Sequence, residues 1–212
     1  MNFIQDASIS VKSFFSGIFT TPDYVKLLLE AKNEKDMYLG AIEFSDYITI
    51  TDPSNDRPTP EKGKFSIEKG TWHGLLSISD EGIWGNRVES LNVFNNKGAE
   101  ILHKINLKNL DHFNDKFECD SINIAVDSGQ LGIFDWESFP EDSFFNSEFT
   151  DLYNKACEIT ESNFGGLLSE GFISCSGFGD GYYTVNYLRD KSTKKIVLFD
   201  VEFINDENRE TM

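Results

Sequence analysis

Ile196-Val197-Leu198-Phe199-Asp200-Val201-Glu202-Phe203-Ile204 sets Val197, Phe199, Val201 and Phe203 at every second position, with Leu198, Asp200 and Glu202 between them. A period of two is the period of a strand, whose successive side chains leave opposite faces of the sheet. The pattern predicts one face buried and the other largely wet, as antiparallel sheets commonly are. Working back along the chain, residues 172–176 and 182–188 read as two further strands, divided by the glycine-rich stretch Gly177-Phe178-Gly179-Asp180-Gly181. Residues 121–127 alternate Ile122, Ile124 and Val126 with small or polar side chains, and residues 47–51 alternate up to Asp52-Pro53. Residues 65–68 and 75–79 flank a Lys69-Gly70 turn, and residues 87–94 run into Asn95-Asn96-Lys97-Gly98, a turn signal after which the chain returns through Ile101 and Leu102.

Two segments depart from this pattern. Ser147 can cap a helix whose Phe149, Leu152, Tyr153, Ala156 and Ile159 form one stripe. In the first 36 residues, Phe3, Ala7, Val11, Phe14, Phe15 and Ile18 recur at helical steps, and Thr21-Pro22-Asp23 is a good start for a second helix bearing Val25, Leu28 and Leu29. These helices read as a packed pair or as a docking arm. The expected architecture is α+β: a mainly antiparallel β-sheet, sandwich-like or strongly curved, with N-terminal helices and one helix near 147–159. The domain reading is a helical appendage over 1–36, a β-rich domain over 37–204 and a frayed tail over 205–212.

The chain has 212 residues, 39% of them hydrophobic, enough for a core that needs no disulfide or metal staple. Thirty-six acids against nineteen bases give a formal net charge of −17. That balance argues against direct binding of nucleic acid, which needs clustered Lys and Arg, and against an anionic membrane surface. Cys119, Cys157 and Cys175 are an odd number without C-x-x-C spacing, so they predict neither a disulfide framework nor a thiolate zinc site, and fit a reducing cytoplasm. No basic region precedes the first apolar residues and Asp6 falls early, so no secretory signal is expected; nor does any run approach the length of a membrane span.

Catalytic signatures are scarce. The stretch Gly177 to Gly181 invites comparison with a phosphate-cradling loop, but a strand follows it where a helix is required, so a tight β-turn is the simpler reading. Asp127-Ser128-Gly129 likewise ends a strand as a turn would. The histidines, His73, His103 and His112, have no metal-ligand spacing, and Cys175 reads as core filling rather than as a nucleophile. The residue supply predicts no cofactor and no metal centre. An alternative site would form if the two glycine turns converged, bringing Asp127, Ser128 and Gly129 to Ser176, Gly177, Gly179, Asp180 and Gly181, with Asp135 nearby, as a small-molecule or divalent-cation site, hydrolytic in one version.

Charge is unevenly spread. Residues 111–170 contain fourteen acids and two bases, Lys116 and Lys155, and so carry twelve of the seventeen excess negative charges. Aromatic residues are interleaved with them. Asp135, Trp136, Glu137, Phe139, Glu141, Asp142, Phe144 and Phe145 form the densest part, where rings would supply contact energy and acids would steer a basic protein. The leading expectation is a non-enzymatic acidic binding protein, most specifically an immunity-type inhibitor of a basic toxin or nuclease. The competing reading of the same segment is a solvated acidic face over an ordinary aromatic core.

The succession Ile48 to Pro53, Phe65-x-Ile67-x-x-Gly70, Val126-Asp127-Ser128-Gly129 with Phe134 and Asp135, and Ser176-Gly177-Phe178-Gly179-Asp180-Gly181-Tyr182 resembles a bacterial family of small cytosolic proteins built on a domain without an assigned function. The resemblance spans residues 43–204. It implies a compact β-rich domain ending in a glycine-rich hairpin and a Val/Phe-rich strand, and it transfers no activity.

Overall fold

The computed structural model describes residues 36–104, 116–141 and 147–205. The helices expected in the first 36 residues, apart from Asp36 itself, and the tail beyond Asn205 lie outside these residues. Two antiparallel sheets stack face to face. The first has six strands, in the order β1 (Met37–Phe44), β4 (Gly70–Asp80), β5 (Asn86–Phe94), β11 (Ile196–Glu202), β10 (Gly181–Asp190) and β6 (Phe117–Val126). The second has five, in the order β3 (Phe65–Ser66), β2 (Tyr47–Thr51), β7 (Gln130–Asp135), β9 (Gly171–Cys175) and β8 (Gly165–Leu167). The expected α+β, mainly antiparallel architecture is the one observed, and its form is a sandwich.

Between the sheets lies an aromatic core. Trp72 and Phe199 from the first sheet and Phe172 from the second are fully buried there with Phe44, whose ring meets Phe172 edge-on at 5.9 Å. Each outer face carries one helix. Helix α2 (Asn96–Lys104) presses Ala99, Ile101 and Leu102 onto Leu75, Phe94, Leu188 and Leu198 of the six-stranded sheet. Helix α3 (Ser147–Asn163) packs Leu152, Ala156 and Ile159 against Phe134, Phe139 and Ile173 of the other sheet, four residues longer than its apolar stripe predicts. A single turn of helix, α1 (Pro60–Gly63), precedes β3.

Three local readings are corrected. Asn95-Asn96-Lys97-Gly98 starts α2 rather than a strand return: the Asn95 side-chain oxygen accepts the amides of Lys97 at 3.0 Å and Gly98 at 3.1 Å, which is an N-cap. The Lys69-Gly70 and 177–181 turns do not close hairpins. Strand β3 pairs with β2 while β4 pairs with β1 and β5, and β9 pairs with β7 and β8 while β10 pairs with β6 and β11, so both turns carry the chain from one sheet to the other. Within β11 the pairing of Leu188 with Leu198 and of Arg189 with Ile196 leaves Val197 as a bulge. Val197 therefore packs beneath α2 with Leu198, while Ile196, Phe199, Val201 and Phe203 face the inter-sheet core.

Register places the turns. Val126 pairs with Gly181, Gln130 with Cys175, Thr184 with Glu202, Glu202 with Ser90 and Asp80 with Asn86. The β4–β5 tip, the β6–β7 turn and the β9–β10 turn thus share one end of the sandwich. Asp135, paired with Ile48, and the β10–β11 turn at 191–195 lie at the other.

Candidate functional site

At the turn end the organising residue is Asp52, which follows β2 and is fully buried. One carboxylate oxygen accepts the amides of Asp127 and Ser128, both at 2.7 Å, and the other accepts the Ser128 hydroxyl at 2.6 Å and the Ser54 amide at 2.7 Å. Burial pushes its acidity toward the neutral form, but the Ser128 hydroxyl and the amide donors outweigh burial and hold the carboxyl below its ordinary range. Asp52 is therefore an ionised clasp that ties β2 to the β6–β7 turn.

The two glycine turns do converge. The Ser176 amide donates to the Gly129 carbonyl at 3.0 Å, and a methyl group on Gly129, which has φ +70°, would lie 3.8 Å from the Gly179 Cα. The Ser176 hydroxyl donates to the Gly179 carbonyl at 2.7 Å, and the buried Tyr183 hydroxyl lies 2.7 Å from the carbonyls of both Ser176 and Gly179. Polar groups of Ser128 and Ser176 are thus spent on the fold. Asp127 and Asp180 are exposed at the surface of the pair, flanking Gly177, Gly179 and Gly181. Asp135 does not join them, because it stands at the far end of β7. No three His, Cys, Asp or Glu side chains among the described residues are arranged to hold a metal ion.

The segment expected to meet a basic partner is arranged differently from its sequence reading. Trp136 and Phe139 are buried, and the Phe139 ring lies tilted against Phe134 at 4.9 Å. Asp135, also buried, accepts the Ser45 amide at 2.7 Å and the Glu137 and Ser138 amides at 3.1 and 3.3 Å. Arg57 reaches across to donate to the Trp136 carbonyl at 2.8 Å and the Phe139 carbonyl at 3.2 Å, lies 4.8 Å over the Trp136 ring and bonds Glu141. Lys64 pairs with Glu137 at 3.7 Å. Rings placed by sequence in a docking face are instead core, and Glu137 and Glu141 have cations beside them. Asp142, Phe144 and Phe145 lie outside the described residues.

Cys175 and His73 do not form a catalytic pair. Cys175 sits under α3, its thiol pushed up by burial and donating to the Thr160 carbonyl at 3.6 Å. His73 is buried on the outer face of the other sheet, stacked at 5.8 Å on Phe94, with Nδ1 2.9 Å from the Tyr38 hydroxyl. Burial pushes His73 down to about 4.

One feature had no counterpart in the sequence reading. Between β4 and β5, Gly82–Trp84 form a 3-10 turn that leaves Ile83 95% and Trp84 49% exposed, and Tyr182, at the same end, is 82% exposed. The signal available in the chain is Gly82-Ile83-Trp84-Gly85, two large apolar residues between two turn-forming glycines. No helix among the described residues is long and apolar enough to cross a membrane. The chain matches no family model, no curated protein and no solved structure, so the resemblance drawn above stands on its motifs alone.

Proposed function

We propose that the chain is a non-enzymatic acidic binding protein whose partner is a basic protein, in the manner of an immunity-type inhibitor that covers a toxin or nuclease. The observation that carries this reading is the separation of charge along the sandwich. At the turn end Asp127 and Asp180 are both exposed, and Arg87 is the one base in residues 80–87, 126–130 and 175–182. At the opposite end Lys64, Lys97, Lys194 and Lys195 sit in ion pairs with Glu137, Glu68, Asp190, Glu118 and Asp46. A field of one sign at one end orients an oppositely charged protein as it approaches and speeds its encounter. A reducing cytoplasm goes with this reading, supported by an odd number of cysteines without C-x-x-C spacing.

The test begins with capture from native lysate and release in steps of rising salt, followed by association kinetics with the purified partner. Asp127→Lys with Asp180→Lys is expected to slow association about tenfold or more and to flatten its salt dependence. Glu137→Lys with Glu141→Lys, at the neutralised end, is expected to change it far less. An association rate indifferent to salt, or retention of no basic protein, overturns the proposal.

A further inference from the structure

We propose that the tip of the β4–β5 hairpin is the anchor by which the chain docks on its basic partner, Ile83 and Trp84 entering an apolar pocket of that protein while Asp127 and Asp180 face basic residues beside it. The inference rests on the binding reading above and adds to it the surface used and the chemistry of the contact.

The turn itself does not require these side chains. Gly82 and Gly85 have positive φ, +64° and +70°, and satisfy the backbone geometry, whereas Ile83 and Trp84 adopt no such conformation. Polar residues at 83 and 84 would therefore serve the turn equally well and avoid leaving apolar surface in water. The tip is also held in place. The Glu81 amide donates to the Gly85 carbonyl at 3.0 Å, the Trp84 amide to the Glu81 carbonyl at 3.2 Å, the Gly85 amide to the Gly82 carbonyl at 3.0 Å and the Gly82 amide to the Asp80 carboxylate at 3.1 Å. A loop ordered before binding loses little conformational freedom when it binds, and tryptophan is the residue most enriched among binding hot spots. The other two tryptophans, Trp72 and Trp136, are buried.

Charge selects the occupant. Asp127 and Asp180 are exposed at the same end of the sandwich, so a pocket ringed by Lys or Arg is attracted, while an anionic lipid surface is repelled.

The chain supplies its own reporter, since of its three tryptophans only Trp84 is half exposed. A photo-crosslinking amino acid placed at Ile83, and as a control at the exposed Glu158 of α3, is used in native lysate with the full chain, and the cross-linked protein is identified, purified and titrated. The expected result is a basic protein cross-linked from position 83 and not from 158, a fall in acrylamide quenching of Trp84 on binding, and affinity about 30-fold or more weaker for Ile83→Ser with Trp84→Ser. Because both side chains are exposed, that variant is expected to melt as the wild type does, which separates lost binding from lost folding. Capture of a basic partner whose affinity for the double variant stays within about twofold of wild type overturns the anchor and leaves the acidic binding reading standing. Capture of no basic protein from either position removes both. Sedimentation of the wild type, but not of the variant, with phosphatidylcholine vesicles would make the tip a membrane contact and overturn the anchor as well.

Discussion

Asp52 and His73 respond to burial in opposite ways, and the difference lies in their partners. Four donors converge on Asp52, so the ionised form survives in the interior. His73 has the Tyr38 hydroxyl at Nδ1, while Nε2 is buried without a hydrogen-bond partner, and the imidazole is pushed down to about 4 by burial, Glu43 pulling weakly the other way. The folded protein consequently keeps His73 neutral at pH values where the unfolded chain, with an ordinary value of 6.5, takes up a proton. With more protons bound in the unfolded state, stability rises with pH across the window from about 4 to 6.5. Between pH 7.5 and pH 5 His73 alone is expected to cost about 2 kcal/mol. Urea unfolding of wild type and of His73→Phe at both pH values checks this, the readout being the pH difference within each protein. A pH difference as large in the variant as in the wild type would show that the histidine does not carry it.

At the scale of elements, helix α2 is held to the sheet by the absence of a side chain. Replacing Gly by Ala inside a helix ordinarily stabilises it by about 1 kcal/mol. At Gly98 a Cβ would lie 2.2 Å from the Val197 carbonyl oxygen, which belongs to the sheet and cannot yield easily. Gly98→Ala is therefore expected to reverse the usual sign and destabilise by about 2 kcal/mol, read as a lower urea midpoint with an unchanged slope. The same contact marks the limit of what sequence conveys about this fold. The alternation of β11, the strands at 47–51 and 172–176 and the stripe of α3 were legible because each follows from local periodicity. Whether Asn95 caps a helix or makes a turn was not, since its side chain bonds backbone amides in either case. Nor could local composition tell a hairpin from a crossing between sheets: the 177–181 turn has the residues of a hairpin, and only the packing of Phe172 of β9 and Val185 of β10 on opposite sides of one core separates its strands. The site was half legible for the same reason. Both glycine turns were recognisable, but the neutralising role of Arg57 is exerted on Glu141 from 84 positions away.

For the whole molecule, the uneven charge has a cost that can be measured apart from any partner. The antiparallel register pairing Val126 with Gly181 sets Asp127 and Asp180 at facing positions just beyond the strand ends. Like charges across a ladder repel, and Arg87 is the one base in the three turn segments of this end. At the other end Lys64 and Arg57 relieve Glu137 and Glu141. Neutralising the acids should then raise stability at the turn end and not at the other. Asp127→Asn with Asp180→Asn is expected to raise the melting temperature in about 20 mM salt, where the screening length exceeds 10 Å, and to lose most of that gain near 0.5 M. Glu137→Gln with Glu141→Gln is expected to give no gain, because it removes attractive pairs along with the acids. Melting curves at the two salt concentrations decide between this and uniform self-repulsion by an acidic chain, which predicts a similar gain from either pair. If the gain is confined to Asp127 and Asp180, the fold tolerates repulsion at the one end where Ile83, Trp84 and Tyr182 are also exposed, as a surface shaped by binding rather than by stability would.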